Sequence, residues 1–324
     1  MKTKTILAWF AINQIKRKGK KMPKKVLKRL KHFLKSLELE KKSYTAICRE
    51  IGISYYCGVD SSTKLQKGAL LEYKTLGLYL APATLSGINL CPFACVGCIL
   101  ACLGGSGHNL IEKRSGKNLI DISRIKKAWI AMLLPEVAEK LICHEIERER
   151  LKRDMAIVSQ RIRWNLAVRL NCTSDLDFSH IMRKYPDLQF YDYTKDQWRT
   201  KRPNYHITYS YATMSPARIE WYRNKLANGM NLAIPVIAGD VKRVLQDIPF
   251  AFSMDTTDLR FLDGREASFG ILKAKETLHT LEGVEEGFIL DYEGVKELIR
   301  VLKDCNGFKS QIKNNKKLKH FSNV

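Results

Sequence analysis

With 324 residues, 45% hydrophobic and 27% charged, the chain is sized for one large folded domain or two ordinary ones, which excludes a disulfide-stapled mini-protein, a collagen-like repeat and wholesale disorder. Its formal charge of +23 gathers at the ends: residues 1–45 carry 15 Lys and Arg against 2 Glu, and residues 303–324 carry 6 Lys against 1 Asp. Such ends are the footprint of a polyanion partner, nucleic acid above all, unless they are simply a solvated face.

The opening stretch Ile6 to Ile12 imitates a signal peptide, but it is short, no small-residue cleavage site follows, and Lys and Arg resume from Lys16. The longest apolar tract, Ile88 to Leu103, contains Asn89 and Pro92 and falls short of the roughly 20 residues a spanning helix needs. No transmembrane segment is expected, and the expected address is the cytoplasm. An odd number of cysteines, nine, suits a reducing interior.

Pro23 to Leu39 reads as a basic amphipathic helix, with Val26, Leu27, Leu30, Phe33, Leu34 and Leu37 on one face and lysines on the other. Ser43 to Ser54 resembles the first helix and turn of a helix-turn-helix. Gly58 stands where the second helix would want an aliphatic residue, so an ordinary helix capped at Gly52 is the alternative. From Ser61 the texture changes. Leu76 to Leu80 reads as a buried strand, and Ser123 to Met155 as helical with a restart at Pro135. Strands are then predicted at Leu166–Leu170, Leu188–Tyr193, His206–Ser210, Leu232–Ile237, Phe250–Met254 and Ser268–Leu272, with a helix over Pro216–Asn228. Strands joined by helical crossovers imply an α/β fold of parallel βα units, closing as a full or partial βα barrel-like core or as an open doubly wound sheet. The division predicted is a basic helical extension over 1–57, an α/β domain over 58–292, and a helix with a basic tail over 293–324.

In such folds the chemistry collects at the carboxyl ends of strands. Those ends supply Asp175, Asp192, Lys195 and Asp258 as candidate catalytic residues, and Arg169 as a holder of an anionic group. Each acid taken singly also suits a helix cap.

The strongest local signal is Cys91, Cys95, Cys98 and Cys102, followed by Gly104, Gly105 and Gly107. Thiolates spaced x3 and x2 on a loop can share an iron–sulfur cluster, and all four can close a tetrahedral zinc site. The same four also fall at i, i+4, i+7 and i+11, the spacing of ordinary helix packing. The C-x3-C-x2-C spacing resembles radical S-adenosylmethionine enzymes. That resemblance implies an open iron binding S-adenosylmethionine, with the glycines contacting the cofactor.

Taken as a whole, residues from about Lys64 to Asp291 resemble a phage-encoded family known as gene product 88. The resemblance is carried by Leu78 to Gly87, by Cys91-Pro92 with Cys98 and Cys102-Leu103, by Val168 to Asp175, by Phe190 to Lys195 and by Asp258 to Asp263. It implies a phage or mobile-element origin and an enzyme-like domain, with Cys91, Cys98 and Cys102 as the cysteines that matter and Cys95 as peculiar to this sequence.

Three functions compete. One is a metal- or cluster-dependent enzyme brought to nucleic acid by its basic ends. Another is a replication-associated nicking endonuclease, with Tyr191 or Tyr193 as nucleophile and the acids holding Mg²⁺. The third is a zinc-stapled DNA-binding regulator using the amino-terminal helices.

Overall fold

A computed structural model describes residues 2–17, 20–102, 105–159, 163–264 and 268–303, so the carboxyl-terminal tail from 304 and Gly104 lie outside the described residues. In chain order come α1 (Thr3–Lys16), α2 (Lys24–Lys35), α3 (Tyr44–Ile51), β1 (Gly58–Val59), α4 (Thr63–Gln66), β2 (Tyr73–Gly77), α5 (Val96–Leu100), α6 (His108–Arg114), α7 (Leu119–Leu133) and α8 (Pro135–Val158). They are followed by β3 (Asn165–Arg169), α9 (Ser179–Lys184), β4 (Gln189–Thr194), β5 (Tyr205–Ser210), α10 (Pro216–Ala227), β6 (Leu232–Val236), α11 (Val241–Asp247), β7 (Ala251–Ser253), β8 (Phe269–Lys273), α12 (Thr280–Glu285) and α13 (Tyr292–Lys303). The chain divides into two compact units. The first comprises Met1–Phe93, Cys102–Asp192 and Arg202–His206, and the second Ala94–Ala101, Tyr193–Lys201 and Ile207–Val324. Residues 1–57, read from sequence as an extension, thus cluster with the first unit. Among the described residues, no helix is long and apolar enough to cross a membrane.

The strands run in the order β1-β2-β3-β4-β5-β6-β8-β7; β1·β2 is antiparallel, and β2·β3, β3·β4, β5·β6, β6·β8 and β7·β8 are parallel. The predicted α/β class and the strand series are therefore present. The barrel-like closure is not given by this order, because among the described residues the row ends in a two-residue strand at β1 and a three-residue strand at β7. β2 starts earlier than its apolar run suggests. Its ladder runs from Tyr73↔Asn165 to Gly77↔Arg169, after which Leu78 N–H donates to Arg169 O and Cys172 N–H to Leu78 O. Leu78 and Leu80 are buried in the loop beyond the strand, which is why the pattern placed them in it.

In the first unit, α1 buries Leu7, Ala11 and Gln14, and α2 buries Leu30 and Leu34. The predicted helix over Pro23–Leu39 is cut at Lys35, and Glu38 turns the chain with φ of 47°. α3 starts at Ser43, whose hydroxyl accepts from Ala46 N–H, and stops at Gly52, φ 69°. Gly52 and Ile53 N–H both reach Cys48 O, which satisfies the orphan carbonyl of the last turn. No second helix of a helix-turn-helix follows, since Gly58 and Val59 pair with Gly77 and Leu76 as β1. Pro135 opens α8 at its first turn, where its missing N–H is no loss. Trp129 of α7, almost fully buried, donates from Nε1 to Ser86 O at 2.8 Å.

In the second unit, α5 and α12 cross closely because both carry glycine at the contact. A Cβ on Gly97 would stand 2.6 Å from Phe288 Cβ, and one on Gly283 would stand 2.6 Å from Ala101 Cβ. Gly283→Ala is therefore expected to cost about 1–3 kcal/mol through overpacking, read as a lowered thermal midpoint. An unchanged midpoint would show that the helices separate without penalty.

Candidate functional site

The loops at the carboxyl ends of β2 and β3 in the first unit are tied to one another. Thr173 Oγ1 donates to Leu80 O at 2.6 Å, and Asp175 N–H donates to Leu90 O at 2.9 Å. Asn171 organises the turn: its Oδ1 accepts from Ser174 Oγ and Leu176 N–H, while its Nδ2 donates to Leu176 O, each at 2.9 Å. Beneath it sits Asp192, with no exposed surface. Its Oδ1 accepts from Asn171 N–H at 2.9 Å, and its Oδ2 accepts from Asn171 Nδ2 at 3.2 Å and from Tyr205 Oη at 3.4 Å.

Asp192 is thus a buried acceptor that clamps the Asn171 loop. Arg169 and Asp175 belong to the same region and are also buried. Arg169 acts electrostatically on Tyr79, whose hydroxyl is pushed up chiefly by burial and donates to Ser62 Oγ at 2.8 Å. Tyr191, one of the two tyrosines that suit a nicking enzyme, is wholly buried, with its hydroxyl on Thr75 Oγ1 at 3.4 Å. Its position is that of core packing.

Lys195 lies in the second unit, its Nζ 5.0 Å from the Phe288 ring centre and its carbonyl accepting from Arg218 Nη1 at 2.9 Å. Asp258 is buried in a separate turn, where fully buried Arg260 donates from Nε to Asp258 O at 3.3 Å, donates to Thr257 O, and pairs with Asp263 at 3.2 Å. That Arg260 anchor was missed by the sequence reading, and a single arginine in a polar run carries no signal for it. Of the five catalytic candidates, Arg169, Asp175 and Asp192 belong to the first unit, and Lys195 and Asp258 to the second, Asp258 in the Arg260 turn.

The cysteines divide as well. Cys91 and Cys102 are in the first unit and Cys95 and Cys98 in the second. Cys91 Sγ accepts from Ala83 N–H at 3.4 Å and donates toward Thr173 O at 3.9 Å. Cys95 caps α5 and donates to Ala212 O at 3.3 Å; burial pushes its thiol up, while Cys98 N–H and Lys195 pull it down. Cys95 and Cys98 both pack with Ile237, Ala274 and Val284 against Ala101, Phe288 and Ile289. Among the described residues, no three His, Cys, Asp or Glu side chains form a group able to hold a metal ion. The x3/x2 spacing reflects in part a short helix, with Cys95 and Cys98 one turn apart on its packed face. Gly105 N–H closes a turn on Cys102 O, and Gly107, φ 59°, precedes α6.

The gene product 88 family model matches residues 57–287. The chain belongs to the gene product 88 family. Comparison with curated proteins and with solved structures finds no match, and likeness to radical S-adenosylmethionine enzymes is not shown. The gene product 88 segment takes in all eight strands and both groups of cysteines, whereas α1 and α2 precede it.

α2 and the segment leading into it from the end of α1 carry the largest unbalanced charge in the sequence. From Lys16 to Lys35 there are eleven Lys and Arg and no Asp or Glu. Every one of these cations that falls within the described residues is exposed, and none has an ion pair. Arg17 donates from Nη2 to Lys21 O, and the others point charge at solvent. Because Leu30 and Leu34 are spent on the core, the outward face of α2 is left to Lys24, Lys28, Lys31 and Lys35 with their neighbours.

Proposed function

We propose that this gene product 88 family member is a phage protein that binds nucleic acid through α2 and the basic turn leading into it. The observation that supports the reading is the exposed, acid-free run from Lys16 to Lys35, in which no described cation is neutralised by a partner within the chain. Repulsion among such cations is relieved when phosphates replace the solvent ions around them, and the counterions released from the nucleic acid drive binding. No base-reading helix-turn-helix accompanies the run, so the binding proposed is to the backbone and insensitive to sequence. The iron–sulfur enzyme and the nicking endonuclease draw no support from side-chain placement and form no part of the proposal.

The test is a salt titration of oligonucleotide affinity with the full chain and with a variant carrying Lys24→Glu, Lys25→Glu, Lys28→Glu and Arg29→Glu. The unaltered chain should show a steep log–log salt dependence, about 0.7–0.9 per phosphate neutralised. The variant should bind at least about 100-fold more weakly and lose several units of that slope. All four positions are exposed, so folding is expected to be unaffected. Unchanged affinity and slope would remove α2 from the interface.

A further inference from the structure

The outward edge of α1 adds something that charge alone does not. Thr5, Trp9, Ile12 and Lys16 fall at i, i+4, i+7 and i+11, and all four are exposed. Trp9 is 58% exposed and Ile12 40%, although the opposite face of the same helix is fully used by Leu7, Ala11 and Gln14. The indole does not hang loose. Phe10 sits edge-on to it, with centroids 5.2 Å apart at 84°. Two helical turns along, Lys16 and Arg17 begin the cationic run, so a large aromatic face and a track of positive charge lie on one continuous segment.

We infer that Trp9 is a stacking platform and that the ligand of this surface is single-stranded nucleic acid. The inference rests on the proposed nucleic-acid binding and names its substrate class. Unpaired bases expose their π-faces to an indole, whereas in a duplex those faces are covered by neighbouring pairs; a cationic track beside exposed aromatics is the physical recipe for gripping a single strand. An anionic lipid surface is the rival for an exposed Trp among lysines. It is disfavoured because insertion needs a broad apolar face: α2 has placed Leu30 and Leu34 in the protein, and the outward stripe of α1 offers two apolar residues.

The experiment measures the full chain, Trp9→Ala, Trp9→Phe and the α2 charge variant against a thymidine homopolymer, a duplex of equal length and phosphatidylserine-containing vesicles. The expected result is that Trp9→Ala binds the single strand roughly tenfold or more weakly, leaves duplex affinity unchanged, and is partly rescued by Trp9→Phe. If Trp9→Ala leaves single-strand affinity intact while the charge variant still abolishes it, stacking is overturned and the charge reading stands. Equal loss on both oligonucleotides overturns the single-strand preference. Binding to vesicles that depends on Trp9, with no Trp9 dependence on oligonucleotides, reassigns the surface to lipid. Should the charge variant bind every oligonucleotide as well as the unaltered chain, the nucleic-acid reading itself fails, and this inference with it.

Discussion

Asp192→Ala is expected to lower stability by about 3–5 kcal/mol, with a smaller loss for Asp192→Asn. The carboxylate is fully buried and accepts from the main-chain and side-chain amides of Asn171 and from Tyr205. Alanine would strand these donors away from water, and each unsatisfied buried polar group costs about 1–3 kcal/mol. Asparagine keeps one acceptor oxygen for Asn171 N–H but presents an amide where Asn171 Nδ2 donates, which accounts for the intermediate loss. Urea unfolding measures the difference, and hydrogen exchange adds a local signature, because the amide of Leu176 depends on Asn171 staying in place. A loss below about 1 kcal/mol for the alanine variant would mean that the turn has other acceptors.

The second large effect is a pH dependence centred on Lys127. Its side chain is buried, and desolvation lowers its pKa from 10.5 to about 8, with Cys57 and Glu145 pulling the other way. Below pH 8 the lysine is charged in both folded and unfolded chains, and its burial penalty is present in full. Between about 8 and 10.5 the folded chain has released the proton and the unfolded chain still holds it, so stability rises with pH through this window. The shift corresponds to about 3 kcal/mol, offset by about 1 kcal/mol from the Tyr55 ring that faces the ammonium; its centre is 4.4 Å away. Buried Cys48 and Cys57 work in the opposite sense above pH 9, because both thiols are raised by burial and hold their protons only in the folded chain. Subtracting the profile of Lys127→Met isolates the lysine. The variant should be about 2 kcal/mol more stable at pH 7, and the advantage should vanish by about pH 10.5. A difference that stays flat from pH 7 to 10 would remove the assignment.

Strands were legible where apolar runs are short and bounded by polar residues, as at Leu232 to Val236, because a buried parallel strand leaves that trace directly. α7 and α8 were legible as one pattern broken at Pro135, since proline at a helix start and helical periodicity both act locally. The roles of the acids were not legible. Asp192 sits in an apolar run and reads equally as a rim residue or a buried clamp; what separates the two is Asn171, 21 positions away and brought close only by the fold. The cysteine spacing is ambiguous for a related reason, since one turn of helix and one arc of a cluster loop both ask for residues three and four apart. Trp9 could have been found: stepping along α1 by three and four places it between Thr5 and Lys16, opposite Leu7 and Ala11.

The strand order carries a consequence for how the chain is made. Among the described residues, β7 lies at the margin of the sheet and pairs with β8, which stands between it and β6 and is the last of the described strands to leave the ribosome. Until residues 269–273 emerge, β6 lacks its β8 partner and β7 has no ladder at all. At about 5–20 residues per second, the nascent chain passes through an interval in which two strand edges are open to intermolecular pairing. A ribosome stall or proteolytic nick between β7 and β8 would prolong that interval, making the 254–268 connection a point at which interrupted synthesis is expected to favour aggregates.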